Sequence, residues 1–156
     1  MQTIQINTKD NMYQMLNLET DEAKHFKFHH IGIATTDIEK TFEDFQYVLY
    51  KKGDYFTDEQ MGVKGLFATN DSLPVLEILE NLPQHHSLDI YLKNFTRGFH
   101  HAYIVDDFEY CKNLIVNKQA AKIISDIYDS AYFKGKCCYI LMPDNFILEL
   151  IEDKRV

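Results

Sequence analysis

The chain has 156 residues, of which 46% are apolar and 26% are charged, a composition typical of a single globular domain with a sizeable core. Its formal net charge of −8 argues against a nucleic-acid partner, because phosphates are neutralised mainly by Lys and Arg. No apolar run approaches the ~20 residues of a membrane-spanning helix, and the first residues lack the basic and apolar segments of a secretory signal. We therefore expect a cytoplasmic protein without a membrane partner.

The three cysteines fit a reducing compartment. Their number is odd, and Cys137 and Cys138 are adjacent, so their side chains are expected on opposite faces of a strand. With Cys111 they form no CxxC pair of the kind that binds zinc through thiolates. We expect three reduced thiols with structural roles.

The first half of the chain predicts a strand, a helix and two further strands. The apolar run Phe28–Thr35 indicates the first strand, and Asp37 stands where a helix N-cap is expected. The apolar positions of the helix are Ile38, Phe42, Phe45 and Leu49. Gly53 is expected to end this helix. The two later strands are Val63–Thr69 and Val75–Glu80.

The second half repeats this order. His100–Val105 predicts a strand, and Asp107 predicts another N-cap. The apolar positions of the second helix are Phe108, Cys111 and Ile115. The two closing strands are predicted over Lys136–Met142 and Phe146–Glu152. Between the halves, Ser87–Leu92 predicts a short connecting helix.

Two landmarks recur in the same order along the chain. His30 stands seven residues before Asp37, and His100 stands seven residues before Asp107, so the offset is 70 residues. The second landmark is an apolar strand that carries a glutamate, and it recurs with an offset of 72 residues. Agreement between the two offsets predicts a duplicated module.

The repeat also divides the chain. Residues 1–25 lie outside it and are interpreted as an N-terminal extension, either one helix or partly disordered, with no assigned function. Residues 26–156 are interpreted as a single domain made of two modules, at about 28–82 and 98–152.

Two histidines and two glutamates of the repeat form a candidate metal site. His30 and Glu77 come from the first module, and His100 and Glu149 come from the second. If the modules pack about a pseudo-twofold axis, these positions meet in one cleft, where imidazole and carboxylate suit a borderline divalent cation. A lone buried His is more often a hydrogen-bonded core residue, and a Glu on a strand more often faces solvent. Recurrence of both in both modules favours the metal site.

Each module has two adjacent histidines, of which only one can face the cleft because neighbours on a strand point to opposite sides. The seven-residue spacing to the capping Asp selects His30 and His100. His29 and His101 are then expected on the opposite face. The other His and Glu residues of interest are expected at the surface: His25, His85, His86, Glu80 and Glu152.

At these residues the sequence resembles the vicinal oxygen chelate superfamily, which includes glyoxalase I, methylmalonyl-CoA epimerase, ring-cleaving dioxygenases and fosfomycin- and bleomycin-resistance proteins. The resemblance covers residues 28–152 and is greatest to the methylmalonyl-CoA epimerase-like branch. It is carried by four segments: His30-Ile-Gly-Ile-Ala, Leu76–Leu82, Phe99-His-His101 and Phe146–Glu152.

The resemblance implies an α+β fold in which paired βαβββ modules form two curved mixed sheets around a metal-binding cleft. It implies a divalent metal, with Zn, Co, Ni and Mn all compatible, held by His30, Glu77, His100 and Glu149. It further implies a metal-dependent isomerase or lyase that forms an enolate, with Glu149 as the first candidate base and Glu77 as the alternative. The substrate would be an acyl thioester or α-keto compound, and the protein a homodimer.

Other functions of the same fold stay open. These are a glyoxalase I-like lyase, a non-catalytic small-molecule binding protein and a metal dioxygenase with two His and one Glu. The 10 Tyr and 11 Phe residues would suit a binding cleft, whereas Glu77 as a fourth ligand disfavours the dioxygenase. The chain also departs from some epimerases, which carry an acid after a Gly-Val pair. Here Gly62-Val63 is followed by Lys64-Gly65, and Glu59 is a weak substitute.

Overall fold

The computed structural model describes residues 18–155 and confirms the α+β fold class. Four helices are described: α1 (Thr20–Ala23), α2 (Ile38–Gln46), α3 (Asp89–Lys93) and α4 (Phe108–Gln119). The first-half strands are β1 (Phe26–Thr35), β2 (Lys51–Asp58), β3 (Val63–Thr69) and β4 (Val75–Asn81). The second-half strands are β5 (Gly98–Val105), β6 (Lys122–Ile123), β7 (Tyr128–Asp129), β8 (Lys136–Leu141) and β9 (Ile147–Ile151).

The strands form one curved, unclosed mixed sheet in the order β2-β3-β4-β1-β5-β9-β8-β6, with β7 also paired to β8. Within each module the first and last strands pair in parallel, β1 with β4 and β5 with β9. The two modules join through antiparallel pairing of β1 with β5. This central pair places equivalent strands of the repeat side by side.

The two faces of the sheet have different roles. On one face α2 packs against β3 and β4, and α4 packs against β5, β8 and β9. Leu148 and Leu150 of β9 point to this helix-covered face, whereas Ile151 points to the other. Each fully buried aliphatic side chain of this kind contributes roughly 1.5–3 kcal/mol to folding. The helices thus hold one face, and the other is left to form a cleft.

Both predicted helix N-caps are confirmed. The Asp37 carboxylate accepts a hydrogen bond from the Lys40 N–H at 3.0 Å, and the Asp107 carboxylate accepts one from the Tyr110 N–H at 2.9 Å. Each cap satisfies a backbone donor that the helix itself cannot pair. The turn from β1 into α2, and from β5 into α4, is therefore fixed locally in both modules.

The predicted end of the first helix was wrong. The helix stops at Gln46, and Leu49 adopts a positive φ of 67° with its side chain 78% exposed. The turn allows Tyr50 to bury its ring and donate its hydroxyl hydrogen to the Pro74 carbonyl at 2.7 Å. Gly53 lies within β2, where an added Cβ would come 2.7 Å from the Phe67 carbonyl oxygen.

The prediction that Cys137 and Cys138 lie on opposite faces of a strand is confirmed. Cys111, Cys137 and Cys138 are buried and unpaired. Cys137 packs on the cleft side with Phe133, and Cys138 packs against the helix-covered face. Burial raises the pKa of Cys111 to about 11 and that of Cys138 to about 12, which disfavours reactive thiolates.

The interpretation of residues 1–25 falls mostly on residues 1–17, which lie outside the described residues. The division of the chain into an extension and one domain stays a prediction. Among residues 18–155, no helix is long and apolar enough to cross a membrane.

Candidate metal centre

Strand register brings the four candidate ligands to the middle of the sheet in two neighbouring rows. In one row Gly32 of β1 lies between Glu77 of β4 and His100 of β5. In the other row Ala102 of β5 lies between His30 of β1 and Glu149 of β9. A small residue therefore occupies the centre of each row, which leaves room for the functional side chains to converge.

The four side chains present their donor atoms to one another. His30 Nε2 lies 3.1 Å from His100 Nε2, 3.1 Å from a Glu77 oxygen and 3.3 Å from a Glu149 oxygen. His100 Nε2 lies 3.4 Å and 3.3 Å from the same two carboxylate oxygens. All four donor atoms lie within 4.8 Å of one another, and all four residues are buried.

Burial and mutual attraction act against each other in this cluster. Burial opposes the charged imidazole of His30, but attraction by Glu77 and Glu149 outweighs it and raises the His30 pKa to about 9. The pKa of His100 is raised for the same reasons. Burial likewise opposes the carboxylates, yet the two imidazoles hold the pKa values of Glu77 and Glu149 below the usual range. The cluster thus favours ionised carboxylates.

The donor set fits a divalent cation. For a metal–ligand bond of about 2.1 Å, adjacent ligand atoms are about 3.0 Å apart in octahedral and about 3.4 Å apart in tetrahedral coordination. The measured separations of 3.1–3.4 Å match these values. Moreover, the buried Glu149 Oε2 forms no hydrogen bond of good geometry among the described residues, although both imidazole Nε2 atoms lie 3.3 Å away. A cation among the four atoms would satisfy this oxygen.

The two remaining histidines of the pairs differ in their positions. His101 packs between Phe28 and Phe146, away from the cluster. His29 does not point to the opposite face as predicted, because the pairing of β1 with β5 is irregular between Phe28 and His30. Its Nδ1 lies 2.8 Å from His30 Nδ1, so one ring donates to the other and His30 Nε2 is directed to the cluster. Burial and the charge of His30 lower the His29 pKa to about 4.

Two of the histidines that were expected at the surface, His25 and His86, lie within hydrogen-bonding distance of an aspartate. His25 Nδ1 lies 2.8 Å from Asp106, and the exposed His86 lies 3.1 Å from Asp89. Neither takes part in the cluster. Glu80 pairs with Lys64 at 3.1 Å, and Glu152 pairs with Lys154 at 3.0 Å. Neither carboxylate belongs to the four-residue cluster.

Gly32 makes the space that the His100 ring occupies. A Cβ added at position 32 would come 1.9 Å from His100 Cε1 and 2.4 Å from its Nε2. We expect Gly32→Ala to push the imidazole out of the cluster, to cost about 1–3 kcal/mol of stability and to weaken metal affinity by about 10–100-fold. Calorimetric titration with metal and thermal unfolding would measure both effects.

Gly98 supplies the matched control for this substitution. It lies on β5 opposite Ile33, and a Cβ added there meets nothing within 4 Å. Gly98→Ala should therefore retain metal affinity. Equal affinities for Gly32→Ala and Gly98→Ala would contradict the role of Gly32.

A tyrosine fixes the second oxygen of Glu149. The Tyr128 hydroxyl donates to Glu149 Oε1 at 3.3 Å, while Oε2 faces the two histidines. Burial, together with the negative charge of Glu149, raises the pKa of Tyr128, so this hydroxyl keeps its proton. Tyr139 is the hydrogen-bonded neighbour of Tyr128, and its pKa is raised by the same causes. The pair holds the carboxylate in one orientation.

The cluster opens onto a cavity of about 210 Å³, whose wall includes both Glu77 and Glu149. Aromatic rings make up much of the remaining wall: Phe56, Tyr91, Phe99, Tyr128, Tyr132, Phe133 and Tyr139. Asp58 also lines this cavity. Such a mainly apolar cavity with a few polar groups is the usual form of a small-molecule site.

The comparisons with known proteins agree with this arrangement. A sequence profile described as the Glyoxalase/Bleomycin resistance protein/Dioxygenase superfamily matches residues 29–139. The chain belongs to this superfamily. A comparison with curated proteins gives no match.

Solved structures share the fold of this superfamily member at low identity. A hypothetical protein from Bacillus halodurans C-125 is 20% identical, with a TM-score of 0.71 over 84% of this chain and 96% of the other. Methylmalonyl-CoA epimerase from Mycobacterium tuberculosis is 16% identical, with a TM-score of 0.63 over 80% of this chain and 86% of the other. A Streptomyces coelicolor methylmalonyl-CoA epimerase variant bound to 2-nitronate-propionyl-CoA is 16% identical, with a TM-score of 0.63 over 83% of this chain and 96% of the other.

Sequence reasoning missed four residues of this site: Gly32, His29, Asp58 and Tyr128. Gly32 stands two residues after His30 and therefore on the same face of the strand, so strand alternation could have identified it. Asp58 lies on a strand with no apolar period, and Tyr128 lies on a two-residue strand. Neither left a signal that sequence periodicity could detect.

Proposed function

We propose that the protein is a metal-dependent enzyme that exchanges or transfers a proton next to a substrate carbonyl through an enolate. The reaction would be an isomerisation of the methylmalonyl-CoA epimerase type, with a glyoxalase I-like lyase reaction as the alternative. The observation that carries this proposal is the convergence of two imidazoles and two carboxylates at the wall of a small cavity.

The metal ligands in this proposal are His30, Glu77, His100 and Glu149. When bound, the divalent metal, for which Zn, Co, Ni and Mn are candidates, polarises the substrate carbonyl and stabilises the negative charge that develops on its oxygen. The imidazoles of His30 and His100 give up their protons to bind it. The carboxylates of Glu77 and Glu149 line the cavity, so a substrate reaches the centre from that side.

Glu149 is the proposed base. Its Oε1 faces the Tyr128 hydroxyl, so the carboxylate cannot rotate freely and one oxygen is held in a defined direction. Glu77 approaches the cluster from the other module, and in this proposal it acts on the opposite side of a substrate carbon. Removal of a proton on one side and its return on the other is what an epimerisation requires. The aromatic wall keeps water away from the reacting carbon.

Proton exchange with solvent tests this function directly. Metal-loaded protein is incubated in D2O with a panel of acyl thioesters and α-keto or α-hydroxy carbonyl compounds, and loss of the α-proton signal is followed by NMR. We expect exchange on at least one compound, and none after metal removal with EDTA. Absence of exchange across the whole panel with metal-loaded protein would argue against enolate chemistry.

A non-catalytic binding protein is the second candidate, and the aromatic cavity favours it. In this case a small molecule would bind without exchange of its protons, and its affinity would survive treatment with EDTA. Loss of all binding after chelation would exclude this alternative. The homodimer and the cytoplasmic location stay predictions of the sequence.

A further inference from the structure

The cavity contains a third carboxylate that the metal centre does not use. Asp58, the last residue of β2, is 5% exposed and lines the same cavity as Glu77 and Glu149. Its Oδ1 accepts the Met61 N–H at 3.0 Å, and its Oδ2 accepts the Ala131 N–H at 3.4 Å. Both carboxylate oxygens therefore accept backbone hydrogen bonds. The two contacts fix the group between the two modules.

No positive side chain balances Asp58 within the cavity. The described residues that line it include no lysine and no arginine. Lys64 of the neighbouring strand points to the other face of the sheet, where it pairs with Glu80 at 3.1 Å. Arg155 lies over the ring of Tyr132 at 4.4 Å and pairs with Asp153 at 2.6 Å. The negative charge of Asp58 is therefore available to act on a bound molecule.

We propose that Asp58 excludes substrates that carry a free carboxylate at the reacting end. The substrates would then be small 2-oxygenated carbonyl compounds or acyl thioesters with no free carboxylate near the reacting carbon. This inference rests on the proposed function, because the substrate must reach the metal. A divalent cation balances the carboxylates of Glu77 and Glu149 and leaves Asp58 uncompensated. A substrate carboxylate would then meet a like charge in a poorly solvated space.

A neutral acyl group carries no such penalty, and a cavity of about 210 Å³ has room for a small one. A methylmalonyl group carries a free carboxylate on its reacting carbon. This protein would therefore share α-proton chemistry with the methylmalonyl-CoA epimerases that it resembles in fold, but would act on a different acyl group that carries no free carboxylate.

Three hydroxamates that present the same pair of adjacent oxygens test the charge preference. At the same tail position, butanohydroxamate carries a methyl group, β-alanine hydroxamate an ammonium group and succinic monohydroxamate a carboxylate. Their affinities for the full-length Co²⁺-loaded protein are measured by calorimetry and by the visible absorption of Co²⁺. We expect succinic monohydroxamate to bind about tenfold more weakly than butanohydroxamate, as like-charge repulsion requires.

Two variants locate the preference. Asp58→Asn keeps the acceptor for the Met61 N–H and removes the charge, so the tenfold ratio should fall to about threefold or less. Glu59→Gln removes an equal charge from the next residue, which is exposed and outside the cavity wall, and should leave the ratio unchanged. The ratio in the unsubstituted protein needs no variant, so a folding defect in Asp58→Asn would not remove the test.

The outcomes distinguish this inference from the proposed function. If the carboxylate probe binds as tightly as the neutral probe or more tightly, the charge preference is overturned and the metal chemistry is unaffected. If none of the three hydroxamates binds the Co²⁺-loaded protein, both this inference and the proposed function are overturned.

Discussion

Replacement of His30 and His100 by alanine is expected to abolish stoichiometric metal binding. Their Nε2 atoms supply half of the four-atom cluster and lie only 3.1 Å apart. Without them, Glu77 and Glu149 are two buried carboxylates with no compensating imidazoles, and two ligands do not hold a structural or catalytic divalent cation. Elemental analysis of the purified variant should show about a tenth or less of the metal in the unsubstituted protein.

A second double variant controls for the general effect of removing two histidines. His86→Ala/His101→Ala removes one exposed histidine and the sequence neighbour of His100, neither of which lies in the cluster. This double variant should keep its metal. His30→Gln/His100→Gln, which preserves side-chain bulk, separates metal loss from misfolding when both are compared by circular dichroism. Equal metal content in the site variants and the unsubstituted protein would contradict the proposed ligand set.

Glu149→Gln is expected to lower the rate of α-proton exchange by about 10²–10⁴-fold, the usual contribution of a positioned general base. Gln has nearly the same shape, and its carbonyl oxygen remains a potential ligand at the position of Oε2, while its NH2 group can donate to the Tyr128 hydroxyl oxygen at the position of Oε1. It has no carboxylate with which to remove a proton. The exchange rate and the metal content of the same sample should be measured together, so that a slow rate is not attributed to an empty site.

Glu152→Gln is the matched control, since Glu152 lies three residues further on and pairs with Lys154 outside the cluster. It should exchange protons at the rate of the unsubstituted protein. Glu77→Gln tests the alternative base: loss of exchange in this variant with full activity in Glu149→Gln would reverse the two roles. An unchanged rate in both Glu variants, with metal retained, would falsify carboxylate base catalysis at this site.

Alternation along the strands was enough to predict which glutamates face the cleft. In β9, Leu148 and Leu150 pack under α4, so Glu149 must point to the other face. The same argument holds for Glu77 between Leu76 and Ile78 of β4. Where a strand is covered on one face by a helix, its apolar period is visible in the sequence, and register errors of one residue would expose the core.

The strand at the edge of the sheet shows no such alternation of apolar residues. The residues of β2 are largely exposed, so it shows no apolar period and was not predicted as a strand. Asp58 at its end was consequently overlooked, and the weaker substitute Glu59 was considered instead. The end of α2 was also misplaced, because Leu49 fits the helical spacing but the burial of Tyr50 decides where the chain turns.

The repeat predicted a duplicated module and the four candidate ligands, because duplicated landmarks and strand alternation are local properties of the sequence. The resemblance of four segments to the vicinal oxygen chelate superfamily predicted the family and the α+β architecture. Only the tertiary structure decided how those residues meet. Antiparallel pairing of β1 with β5 sets the His30–His100 separation, and the irregularity in β1 turns His29 toward His30. The charge of the cavity was equally hidden, since Asp58 reaches it only when an edge strand folds against the opposite module. Such long-range contacts depend on packing between segments that are far apart in the chain.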